Sequence, residues 1–299
     1  MHDDLIFTPA PKRHFDPWAY AFVAPALVLL TLFLFIPAVW VAITSFTGVA
    51  SDAPTGVGIS TYEHQLGSGV FQRSILYTGY FAGVYVPGTL VVGYLLARLI
   101  FRKMESRKWF ALLFFVPCLI PSVATGAVWH WMCDPDAGLV NRALVFVGFR
   151  AVDWLHEAYL VLPSIAIMSI WQSAGLIAAI FLAGMWVVPR ELGEMAELDG
   201  ARGWRRLWYV TLPSVEGALR VSLLLLLINS LRVFGPIFVI TRDGGPSNWS
   251  TNLPFLVYRE GMKVVQFSGA CALSTFLCFA VAILVVLLRR FPIKRGESV

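Results

Sequence analysis

Six apolar runs, at about residues 18–43, 75–100, 109–132, 159–187, 215–240 and 264–288, each reach the length of about 20 residues that a helix needs to cross a hydrocarbon core. Together they dictate an all-α integral membrane protein of six transmembrane helices. Composition agrees, because 58% of residues are apolar and only 14% are charged, against roughly half and a quarter in a soluble domain. The layout is a tail at 1–17, one six-span domain at 18–290 and a tail at 291–299. The first run exceeds a signal-peptide core and follows a mixed-charge tail (Asp3, Asp4, Lys12, Arg13, Asp16), so it is expected to stay as an anchor.

Basic residues set the orientation, since Lys and Arg are retained on the cytoplasmic side. Fourteen of them fall in the N-terminal tail, the loop after run two, the loop at 189–213 and the C-terminal tail, against six in the longer opposite connections. Both termini and the 189–213 loop are therefore expected inside. The pI of about 9.1 then needs no nucleic acid, because surplus positive charge at the inner surface meets anionic lipid.

The 189–213 loop, PRELGEMAELDGARGWRRLWYVTLP, is a polar stretch between two spans. It reads as a short helix from Pro189, whose φ suits a first turn, to Gly200, which can take the left-handed conformation that ends helices. Arg190 against Glu191, Glu194, Glu197 and Asp199 leaves this helix at −3. An anionic leaflet repels such a helix, so its target is a protein.

These residues resemble the permease subunits of ATP-binding-cassette importers, whose coupling loop carries E-A-A, three residues, G, nine residues and I-x-L-P. Here the pattern stands as Glu194-Met195-Ala196, then Gly200, then Val210-Thr211-Leu212-Pro213, with Met195 and Val210 as mild departures. The extension Asp199-Gly200-Ala201 with Trp204 is similar to the glycerol-phosphate, lactose and maltose branch, which imports oligosaccharides and glycerol phosphate. The resemblance implies the type I importer permease fold in a bacterial or archaeal inner membrane. It also implies a second, similar permease subunit, two ATPase subunits that dock on this loop, and an extracytoplasmic binding protein that delivers solute. ATP and Mg would be bound by the ATPase, with no cofactor in this chain.

Weaker resemblances lie in the opposite loops. Asp134-Pro135-Asp136-Ala137-Gly138-Leu139-Val140-Asn141 is similar to the family's D-P-x-x-G-x-x-N segment. Gly244-Gly245-Pro246, with Thr251, Leu256 and Tyr258 beyond it, is similar to the G-G-P loop before the last span. The resemblance implies that Asp134, Asn141, Gly244, Gly245 and Pro246 face the binding protein.

Other mechanisms meet obstacles. The chain has no G-x-x-x-x-G-K-[ST] and no Gly-Lys pair, so no phosphate-cradling loop binds ATP. An ion-coupled secondary transporter of a small polar solute is the alternative, yet Glu105, Glu191, Glu194, Glu216 and Glu260 sit in loops or at span ends, not at the midplane where proton-coupled carriers place them. The five histidines lack zinc-site spacing, so no metal site or catalytic residue is expected.

A solute path needs polar and aromatic groups inside the spans. Ser222, Asn229 and Arg232 project within about 100° of one another on a helical wheel, and Gly235-Pro236 follows where a kink is expected. An arginine deep in a span belongs against a water-filled cavity or a partner helix. Run four adds Trp171, Gln172 and Ser173. These six are candidates for the path, or they hydrogen-bond neighbouring helices and hold the bundle together. The orientation has a direct check. Single cysteines at Ser106 and Gly203 are expected to resist an impermeant thiol reagent in intact cells while one at Asn248 reacts; labelling at Ser106 without lysis would overturn it.

Overall fold

The computed structural model describes residues 17–50, 53–102, 107–201, 203–241, 244–245 and 248–289. Most of the 1–17 tail, the 291–299 tail and Pro246 lie outside the described residues. Nearly everything described is helical. α1 (Pro17–Leu30) and α2 (Ile36–Thr44) form one rod through a π-helical turn at Thr31–Phe35, where Pro37 withholds an N–H from the ladder. An antiparallel hairpin that the sequence did not signal, β1 (Thr47–Ala50) with β2 (Ala53–Val57), pairs Thr47 with Val57. Then come α3 (Ser60–Gly67), α4 (Gly69–Arg102), α5 (Arg107–Leu119), α6 (Ser122–Met132), α7 (Leu139–Phe146) and α8 (Val161–Val187). The loop that follows holds α9 (Arg190–Leu198), α10 (Trp204–Arg206) and, past a second π-helical turn at Leu207–Thr211, α11 (Leu212–Ser214). The chain closes with α12 (Glu216–Arg232), α13 (Gly235–Thr241), α14 (Leu253–Tyr258) and α15 (Phe267–Arg289).

Among the described residues, four helices are individually long and apolar enough to cross a membrane: Tyr20–Thr44, Gly69–Phe101, Val161–Val187 and Phe267–Leu288. Two bent pairs, Leu112–Leu119 with Ser122–Met132 at 107° and Leu207–Ser214 with Glu216–Arg232 at 73°, make six when each pair is counted as one span. The run at 109–132 is thus not one straight helix. Pro121 has no N–H and denies Ile120 the helical conformation, so α5 ends and α6 starts in a new direction. The run at 215–240 is also divided, two residues before the expected kink. A ring at Pro236 would strike the carbonyl four residues back, at Arg232; the helix ends there, Val233 turns extended (ψ 117), and α13 begins at Gly235.

The core lies between α4, α8 and α12, with α5 on α8, α6 on α13, and α14 on α15 and α4. Phe81, Ile165, Met168, Ile177, Phe181 and Leu226 fill it and are almost wholly buried. The α1–α2 rod stays outside this core: every residue from Tyr20 to Trp40 is exposed, an apolar surface suited to lipid or another helix. Small residues let the helices close up. A Cβ at Gly175 would stand 2.0 Å from the Phe114 carbonyl oxygen, so α5 crosses α8 against bare backbone. Gly175→Ala is expected to cost about 1–3 kcal/mol, read as a lower thermal midpoint of the purified protein. Gly79→Ala, with nothing within 4 Å, should be neutral or gain up to about 1 kcal/mol. Equal midpoints for the two would refute the close approach.

Candidate functional site

The two helix breaks lie beside a cavity of about 300 Å³. Arg232 is the last residue of α12, where a cation meets the unpaired carbonyls of a helix end. It is exposed and has no ion pair among the described residues. Asn229 lies one turn back on the same wall, and Gln172 and Ser173 face them from α8. Four of the six path candidates therefore meet at one space.

The other two do not. Ser222 is fully buried and sits two turns, about 10 Å, from Asn229 toward the 189–213 loop, so a shared stripe does not bring it to the cavity. Trp171 turns away to pack on Trp129, ring centres 6.0 Å apart at 56°. Gln172 is already engaged: its Nε2 donates to the Ile120 carbonyl at 2.8 Å and to Thr125 Oγ1 at 3.1 Å.

Several lining residues escaped sequence reading. Phe81 and Tyr85 of α4, stacked on each other at 5.3 Å and 16°, border the cavity while staying almost wholly buried. The Tyr85 hydroxyl shares a 2.8 Å hydrogen bond with Ser173 Oγ and is also reached by Asn229. Ser122, Ser169 and Phe234 complete much of the remaining lining. The one signal available was Tyr85 itself, because a hydroxyl inside an apolar run requires a partner.

In the 189–213 loop, Pro189 is the N-cap, with extended ψ of 139, and the first helical residue is Arg190. The C-terminal end is a full Schellman closure. Gly200 sits at φ +74 and donates to the Glu197 carbonyl at 3.1 Å, while Ala201 donates to the Ala196 carbonyl at 2.8 Å. A Cβ at Gly200 would meet nothing within 4 Å, so glycine is required by conformation, not by space. Ala196 is buried, while Leu192, Met195 and Leu198 are exposed. Glu194 and Asp199 are exposed too, and Glu197 pairs with Arg206. Leu212 and Pro213 open α11.

At the opposite end, Asp134 Oδ1 accepts from the Ala137 and Asp136 amides at 2.7 and 3.0 Å. Those two donors, in that order, hold its carboxyl below the usual range. Asn141 is corrected from a docking contact to an internal brace. It is 2% exposed, its Nδ2 donates to the Asp134 and Val152 carbonyls at 3.1 and 2.9 Å, and its Oδ1 accepts from Val152 N and Trp154 Nε1 at 3.0 and 3.1 Å. Gly244 and Gly245, at φ +91 and +74, pack against Thr251 and Ser250. Sequence reading also missed Asn252, fully buried, whose Oδ1 caps α14 through Phe255 N at 3.1 Å and whose Nδ2 donates to the Val233 carbonyl at 2.5 Å.

A probable permease protein of Pyrococcus horikoshii is 30% identical over 286 residues, covering 94% of this chain and 97% of that one. The sulfoquinovosyl glycerol transport system permease of Agrobacterium fabrum is 28% identical, covering 87% and 85%. Among solved structures, a bacterial ABC transporter involved in the import of the acidic polysaccharide alginate shares the fold, with a TM-score of 0.80 at 23% identity over 94% of this chain and 96% of that one. The family model described as binding-protein-dependent transport system inner membrane component matches residues 89–291, and the chain belongs to that family.

Proposed function

We propose that this chain is a permease subunit that, with a second permease, encloses the path for a sugar or sugar-like solute of the oligosaccharide or glycerol phosphate class. An extracytoplasmic binding protein delivers the solute, and two ATPase subunits, which hold ATP and Mg, drive the import. Both termini and the 189–213 loop lie on the cytoplasmic side. The observation that carries this reading is α9. Its two-bond Schellman end presents exposed Leu192, Met195 and Leu198 with Glu194 on one short, tightly closed helix, which suits insertion into a groove of another protein. Family membership and relatives that transport sugars support the solute class.

The coupling role has a graded test. An L side chain at φ +74 is strained by about 1–2 kcal/mol, enough to lower a docking-competent population roughly five- to thirtyfold. Gly200→Val is expected to lose substrate-stimulated ATP hydrolysis and uptake at equal membrane abundance. Gly200→Asn, whose side chain tolerates this conformation, should keep most of both. Wild-type uptake by Gly200→Val would refute the role.

The cavity is the proposed solute site, with exposed Asn229 and Arg232 to hydrogen-bond a sugar and the buried Phe81–Tyr85 pair to back the wall behind them. If Arg232 touches solute, Arg232→Ala should raise the half-saturating concentration for uptake about tenfold or more. Arg232→Lys should fall between it and the wild type, because the charge stays but the planar fork is lost. Normal uptake by Arg232→Lys, with Arg232→Ala failing only through poor assembly, would make the residue structural.

A further inference from the structure

We propose that two amide side chains, Gln172 and Asn252, are positioning residues that clasp the two helix breaks and thereby set how readily the cavity opens. The inference rests on the importer reading above.

Each break leaves backbone carbonyls without helical partners, and both breaks border the cavity. Both breaks are closed in the same way. The Ile120 carbonyl, between α5 and α6, takes the Gln172 amide at 2.8 Å. The Val233 carbonyl, between α12 and α13, takes the Asn252 amide at 2.5 Å. Neither donor belongs to the helix it closes.

The segments beyond the breaks pack on one another. A Cβ at Gly126 of α6 would lie 3.5 Å from Pro236 Cα, and one at Gly235 of α13 would lie 3.0 Å from Ser122 Oγ. Together α6 and α13 form one block, and its Ser122, Gly235 and Pro236 form one wall of the cavity. The clasps come from the frame instead. Gln172 sits in α8, the continuous helix packed along α4. Asn252 caps α14, which packs on α15 and is tied to α4 by Leu253 N donating to Thr78 Oγ1 at 3.1 Å. Any movement of the α6–α13 block against the frame has to release or re-aim these two amides.

Side-chain clasps suit a moving part, because one intramembrane hydrogen bond shifts an equilibrium by about threefold on average and by at most about twentyfold. That is enough to bias a resting arrangement without locking it. It also gives Asn252 two tasks: the same side chain that caps α14 reaches the cavity wall at Val233.

The test uses the assembled complex, this chain with its second permease and ATPases, in lipid nanodiscs, and reads ATP hydrolysis without the binding protein. Gln172→Leu keeps volume and removes both amide bonds. Asn252→Ser keeps an N-cap hydroxyl for α14 but is too short to reach Val233. Each variant is expected to raise the unstimulated rate about threefold, and the pair about tenfold, with a matching fall in the stimulation that the binding protein adds. Should Asn252→Ser fail to assemble, Gln172→Leu decides alone, since the breaks are clasped separately. Unchanged unstimulated rates in assembled variants, or rates that fall only with thermal stability, would overturn the clasps and leave them as structural ties. A wild-type complex that hydrolyses no ATP would instead overturn the importer reading, and this inference with it.

Discussion

A backbone carbonyl released inside a hydrocarbon core has to find an N–H, and much of this molecule is arranged around two places where prolines release them. Pro121 ends the helix before it by restricting Ile120, and Pro236 by the clash of its ring with the carbonyl four residues back. A long apolar helix that simply continued would leave no room for a polar cavity. Broken, it exposes backbone polarity that the rest of the bundle has to meet, and Gln172 does so from continuous α8 and Asn252 from the N-cap of α14. The cavity sits where those breaks meet, and its polar lining follows from the same local shortage of helical hydrogen bonds.

The opposite solution governs the 189–213 loop. There the helix end is closed by its own backbone, through Gly200 and Ala201, and nothing from the bundle is needed. A short helix with a self-contained cap keeps its end without help from the bundle. Small Ala196 is the buried contact of α9, while its larger apolar residues stay outward.

The difference in locality explains how well each region could be read from residues alone. The Glu194-Met195-Ala196 to Gly200 spacing describes one helix and its cap, so every interaction in it spans a few residues and leaves its mark in the sequence. The end of α9 at Gly200 was legible for that reason. Asn141 shows the limit. Its position was legible, but its side chain is consumed by Val152 and Trp154, more than ten residues away, and only their folding back turns a loop asparagine into a buried brace. Tyr85 carried a signal, a hydroxyl inside an apolar run, but its place beside the cavity was hidden because its partner Ser173 lies 88 positions along the chain.

Length and polarity of the apolar runs, which act residue by residue on the transfer from water to lipid, determined by themselves that this is a multi-span helical membrane protein. Local capping geometry determined α9 and its end, and motif spacing the family. Tertiary structure decided which polar side chains share a space. On a helical wheel Ser222, Asn229 and Arg232 are equivalent; in the bundle the cavity begins only where α12 stops. A wheel carries direction but not depth, and depth depends on where neighbouring helices bend and what they pack against.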